Sequence, residues 1–95
     1  MTAYIHADVE ITDPTAFEIY RQQVPALIAA HGGRFLVRGG AVEVLEGDRR
    51  PGRPVILEFA DMAALKAFYG SPQYQALIAL RQSASTGNLL AVEGV

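Results

Sequence analysis

Residues 3–9 alternate strictly in character: Ala3, Ile5, Ala7 and Val9 fall on one side, Tyr4, His6 and Asp8 on the other. Period two is the mark of a β-strand whose two faces meet different surroundings. A chain built on such a strand must cover its aliphatic face and find another use for its mixed one. Helices supply the cover. Asp13-Pro14 is a helix start, with Asp as N-cap and Pro in the first turn. Phe17, Tyr20, Val24, Leu27, Ile28 and His31 then recur at helical spacing as one buried stripe. Pro25 removes a backbone bond and predicts a bend near Arg21. Gly32-Gly33 ends the helix.

Arg34-Phe35-Leu36-Val37-Arg38, Gly39-Gly40 and residues 41–46 follow. The glycines admit a tight hairpin or a bulge in one long bent strand, and the bulge is the preferred reading. The polar segment 47–53 then forms a turn that pairs residues 42–46 with a strand over 54–60. Asp61 caps a second helix carrying Met62, Leu65, Phe68 and Tyr69. Gly70 interrupts it, and Ser71-Pro72 starts a third helix with Tyr74, Leu77, Ile78 and Arg81. Residues 83–87 read as a loop and 88–93 as a last strand.

The order is β-α-β-β-α-β with the second helix broken, all within one domain spanning residues 1–95. Right-handed crossovers put the helices on one face of a four-stranded antiparallel sheet, an α+β ferredoxin-like arrangement. The opposite face has no cover in this chain, yet Leu36, Ile56 and Leu90 are expected on it. Hydrophobic residues make up 51% of the sequence, a generous share for so small a domain. A second copy packed sheet to sheet is the expected cover, so a homodimer is predicted.

Other classes are excluded or disfavoured. A net charge of −2 lacks the positive field that nucleic acid or an anionic membrane requires. The absence of cysteine removes disulfides, thiolate metal sites and Cys nucleophiles. No apolar run is long enough to span a bilayer, and residues 1–6 do not resemble a signal peptide, so a cytoplasmic location is expected. His6 and His31 are the only histidines, and no zinc or non-haem iron spacing occurs. No metal or cofactor is expected; the haem alternative is His6 as a single axial ligand. No nucleophile elbow, phosphate loop or dinucleotide fingerprint is present. Arg49, Arg50 and Arg53 read as solvated turn charges.

The landmarks Asp13-Pro14-x-x-Phe17, Gly32-Gly33-Arg34-Phe35-Leu36-x-Arg38-Gly39-Gly40, Glu46-Gly47-Asp48, Glu58-Phe59, Tyr69-x-Ser71-Pro72-x-Tyr74 and Leu80-Arg81 run through almost the whole chain. In that order and spacing the sequence resembles the bacterial family known as domain of unknown function 1330. The resemblance implies a ferredoxin-like fold of the dimeric α/β-barrel group, two sheets packed around a pocket, with no established activity. The wider group includes haem-degrading and quinol-type monooxygenases, chlorite dismutase-like proteins and muconolactone isomerase-like enzymes. At that distance the fold alone is implied.

The ionisable groups expected on the uncovered face are the candidates for chemistry. Tyr4, His6 and Asp8 project from the first strand, Glu58 from its neighbour, and Arg38 from the glycine bulge. In that arrangement His6 is a general base, Glu58 or Asp8 orients it, and Arg38 holds a carboxylate or a developing enolate. The competing structural reading is an Arg38–Glu58 ion pair with His6 packed beside it. A second group, Tyr69, Tyr74 and Arg81 with Ser71, gathers at the helix break. It either closes a pocket mouth, with Arg81 meeting an anion or Glu58, or consists of a helix cap and core tyrosines. Three functions follow: a cofactor-independent proton-transfer enzyme or monooxygenase acting on a small anionic or aromatic compound, a non-catalytic ligand-binding or stress-associated dimer, or an interaction module without ligand.

Overall fold

The computed structural model describes residues 1–50 and 52–95. Seven elements run in the order β1 (Ala3–Ile11), α1 (Pro14–Ala30), β2 (Arg34–Arg38), β3 (Arg53–Phe59), α2 (Met62–Tyr69), α3 (Pro72–Ala84) and β4 (Ser85–Glu93). The strands form one sheet in the order β2-β3-β1-β4, with every neighbour antiparallel. The helices lie on one face, in a slab measuring 35 × 34 × 16 Å. Two layers fill that thickness, so among the described residues no helix covers the second sheet face.

The helices start where capping chemistry places them. The carboxylates of Asp13 and Asp61 accept from the amides of Ala16 and Ala64, and the Ser71 hydroxyl accepts from Tyr74. Each cap contributes about 1 kcal/mol. The His31 Nδ1–H closes α1 by donating to the Leu27 carbonyl at 2.9 Å. α1 runs through Pro25, whose missing N–H leaves the Arg21 carbonyl without its usual partner. Ala3, Ile5, Ala7 and Val9 are buried beneath the helices, as the alternation requires. Phe59, Phe68 and Tyr74 stack through the centre, with Phe68 at 5.3 Å from Phe59 and 4.5 Å from Tyr74 between ring centroids.

Three sequence expectations are corrected. The partner of β3 is Arg34–Arg38, not residues 42–46, which form no strand. The pairing edge of β3 is already occupied, and Val42, Val44 and Leu45 are exposed. The bulge falls between Phe35 and Val37 rather than at Gly39-Gly40. Gly39 instead turns the chain out of the sheet at φ +69°, its amide bonded to the Pro54 carbonyl. Residues 83–87 are not a loop: β4 begins at Ser85, directly after α3. Small polar residues look turn-like locally, but Ile11, Glu10 and Val9 of β1 pair with Ser85, Thr86 and Gly87. The Thr12 and Asp13 amides also bond to the Ala84 carbonyl. Of the turn expected over 47–53, Pro51 lies outside the described residues.

Gly33 joins α1 to β2 with no room for a side chain. A Cβ there would come within 2.6 Å of Phe59 Cε1 and 2.9 Å of Ile28 Cγ2. Both side chains are fully buried, so neither yields. Gly33→Ala is expected to lower stability by about 1–3 kcal/mol through overpacking, read as a reduced urea midpoint with unchanged slope.

Candidate functional site

The sheet separates the polar side chains into two sets. On the open face, Tyr4 lies opposite Glu58 and Val92, His6 opposite Ile56 and Leu90, and Asp8 opposite Pro54 and Asn88. The carboxylates are engaged with neighbours other than His6. Glu58 accepts from Arg34 Nε at 2.8 Å. Asp8 accepts from the Gly52 amide at 2.6 Å and faces Arg49 at 3.7 Å. Its carboxylate therefore ties the 47–53 segment to the sheet. Among the described residues no hydrogen bond orients His6, and its cross-strand neighbours Ile56 and Leu90 are apolar.

Arg38 is not on this face. One extra residue at Leu36 reverses the alternation of β2, so Val37 sits opposite Ile56 on the open side and Arg38 opposite Val55 on the helix side. Neither the triad of His6, Glu58 and Arg38 nor an Arg38–Glu58 ion pair is assembled within the chain. Arg81 does not reach Glu58 either: it is buried on α3 beneath the helices. Tyr74 is buried beside it, whereas Tyr69 is partly exposed, its ring 5.5 Å from that of Tyr74.

The helix side holds a cleft between α1 and the sheet. Ala7, Val24, Phe35, Val55, Leu57 and Leu89 are among its apolar walls. Its volume is about 60 Å³, and with about 10–15 Å³ needed per water that is room for about four to six waters. Small Ala7 at the middle of β1 leaves that room under α1.

A chain of hydrogen bonds runs along the wall. Arg81 Nη1 donates to the Tyr74 hydroxyl oxygen at 3.2 Å, and the Tyr74 and Tyr20 hydroxyls are 2.8 Å apart. Arginine has no acceptor, so the Tyr74 oxygen accepts from it. Either tyrosine hydroxyl can donate to the other. Burial pushes the Tyr20 phenol far above its ordinary value. Tyr74 reinforces the rise by charge and hydrogen bond, and Arg81 opposes it more weakly. Tyr20 is thus a proton donor and not a base. Among the described residues no histidine or carboxylate lines the cleft.

Three arginines also line it: Arg21 from α1, Arg38 from β2 and Arg53 from β3. Arg38 lies over the Phe35 ring, 4.4 Å from its centroid. Arg53 passes so close to Gly39 that a Cβ there would meet its Nε at 2.6 Å. The Arg53 guanidinium is held below its ordinary pKa, first by burial, then by repulsion from Arg21 and Arg38. Sequence reasoning passed over Tyr20 as core and Arg53 as a turn charge. Alternation carried a usable signal, since Arg53 shares its parity with Val55 and Leu57 and so shares their face.

These features define a ferredoxin-like α+β domain with one covered and one open sheet face. The chain belongs to the family described as domain of unknown function (DUF1330), whose model matches residues 2–95. No curated protein matches it. Among solved structures, it is similar to a protein of unknown function from Rhodopseudomonas palustris (TM-score 0.79, 19% identity, covering 99% of this chain and 82% of that one). It is also similar to SnoaB, a cofactor-independent oxygenase from Streptomyces nogalater (TM-score 0.63, 14% identity, 99% and 93% covered). A third similar structure is a dimeric ferredoxin-like protein of unknown function from Thermobifida fusca (TM-score 0.52, 17% identity, 97% and 88% covered). These likenesses establish the fold. Among the described residues no helix is long and apolar enough to cross a membrane.

The raised Tyr20 value has a thermodynamic consequence. The native state holds the phenol proton more tightly than the unfolded chain, so this contribution is complete below pH 10 and declines above it. At one pH unit above the unfolded value the loss is about 1.4 kcal/mol. Urea midpoints between pH 8 and 11 should therefore fall less steeply in Tyr20→Phe than in wild type, because the other ionising groups are common to both.

Proposed function

We propose that this chain binds a small ring compound in the cleft under α1, with the apolar body of the ligand against Val24, Phe35 and Leu57 and an oxygen on the Tyr20–Tyr74–Arg81 line. One observation carries the reading: an apolar cleft whose polar wall is a tyrosine pair backed by a buried arginine. Hydrogen-bond donors in a desolvated pocket favour a bound oxygen that carries negative charge. Stabilising a phenolate or enolate in this way suits cofactor-independent oxygenation, the activity of SnoaB. A second reading, ligand binding without turnover, is favoured by the lack of a base among the described residues that line the cleft. His6 and Glu58, with Tyr4 and Asp8, belong in this proposal to the open face and not to the ligand.

The open face supports a homodimer. Ile56, Leu36, Leu90 and Val92 give it apolar area, with Leu90 53% and Val92 49% exposed. A second copy related by a twofold axis meets that face with its own, and the T. fusca structure is described as dimeric.

Two measurements test these proposals. In an NMR titration, phenol should shift resonances of cleft residues in wild type and fail to do so in Val24→Trp, which fills the cleft, while His6→Ala leaves binding intact. Binding that survives Val24→Trp would place the ligand elsewhere. In light scattering after gel filtration, wild type should run as a dimer and Leu90→Asp as a monomer. A monomeric wild type at micromolar concentration would remove the dimer.

A further inference from the structure

The cleft has a second set of polar groups, which the tyrosine line does not account for. Arg21, Arg38 and Arg53 come from three different elements and line it together. Their compensation is incomplete. Arg21 pairs with Glu18 at 2.7 Å, but among the described residues no ion pair holds Arg38 or Arg53. Three cations and one carboxylate leave a formal charge of +2 in this set, in a chain whose total charge is −2. Like charges so gathered repel unless an anion joins them.

The arrangement is also held in place rather than loose. Arg38 is stacked on Phe35. Arg53 lies against Gly39, where a Cβ would meet its Nε at 2.6 Å, and the Gly39 amide is bonded to the Pro54 carbonyl at 2.8 Å. Positive φ at Gly39 is what turns the chain away from the sheet immediately after Arg38. Guanidinium groups match carboxylate and phosphate oxygens through paired N–H donors. Bringing an anion between them converts a repulsive cluster into a charge-assisted one.

We infer that Arg21, Arg38 and Arg53 form an oxyanion-binding subsite in the α1 cleft, so that the ligand is a single-ring compound bearing a carboxylate or phosphate. The inference rests on the proposed use of the cleft for its ring, but the anion site is separately measurable. The ring enters under Val24, and the acidic group stays at the arginines. Gly39 is a positioning residue, setting where the Arg53 guanidinium rests.

The test compares phenol, benzoate, phenyl phosphate and inorganic phosphate by NMR titration at fixed ionic strength, on the whole chain. Benzoate or phenyl phosphate should bind wild type at least tenfold more tightly than phenol, and the tighter of the two identifies the acidic group. In Arg38→Gln with Arg53→Gln that advantage should vanish while phenol affinity stays within about twofold. Gly39→Ala should reduce the advantage without altering any charge. Equal affinity for phenol and both anions in wild type, or an advantage that persists in the double variant, would overturn the inference while leaving the cleft itself standing. Inorganic phosphate shifting the arginine resonances with no response to phenol would support the anion site and reject the ring pocket. No response to any of the four probes would reject both.

Discussion

Everything in this fold hangs on the pairing of β1. It is the only strand with long partners on both sides, β3 along residues 3–9 and β4 along residues 3–11. Its inward residues, Ala3, Ile5, Ala7 and Val9, are the floor of the core. Two of the four are alanines, and size matters here as much as polarity. Larger side chains at those points would lift α1 and fill the space that Ala7 leaves. β1 therefore fixes the sheet order, seats the helices and leaves room for the cleft.

The second determinant is one residue long. The extra residue at Leu36 changes the parity of β2, sending Val37 to the open face and Arg38 to the helix side. Without it, Arg38 would share the open face with Glu58 and lie opposite Pro54. Glu58 is met by Arg34, which precedes the bulge, in a largely exposed pair worth less than about 1 kcal/mol. Arg38 instead joins Arg21 and Arg53. A bulge next to a site commonly re-aims a side chain in this way. Here it transfers a positive charge from one face of the sheet to the other.

The two faces consequently present different surfaces. The open face combines exposed aliphatic residues with carboxylates that are already engaged, Asp8 on the Gly52 amide and Glu58 on Arg34. The covered face holds a cleft with two sets of donors: tyrosine hydroxyls backed by Arg81, and arginines with little compensating charge. Donors without bases suit recognition of an anion, or stabilisation of one that forms on the ligand. One fold can carry several chemistries, so the distribution of charge in the cleft is more informative than the architecture.

The sequence by itself determined the element order, the three helix caps, the broken second helix and the inward face of β1. Each of these is written in residues close together along the chain: alternation at 3–9, Asp13-Pro14, Asp61, Ser71-Pro72 and Gly70. It also placed Tyr4, His6, Asp8 and Glu58 on one face, because parity along an unbroken strand survives folding. Tertiary structure alone decided the rest. The bulge at Leu36 arises from the fit of β2 against β3, and no local signal separates it from the glycines that follow. The early start of β4 depends on capture of Ser85–Gly87 by the far end of β1. The meeting of Tyr20, Tyr74 and Arg81 joins two helices more than fifty residues apart in sequence, and the cluster of Arg21, Arg38 and Arg53 joins a helix to two strands. Contacts of that range are set by which surfaces pack together, and packing is a property of the assembled layers rather than of any one segment.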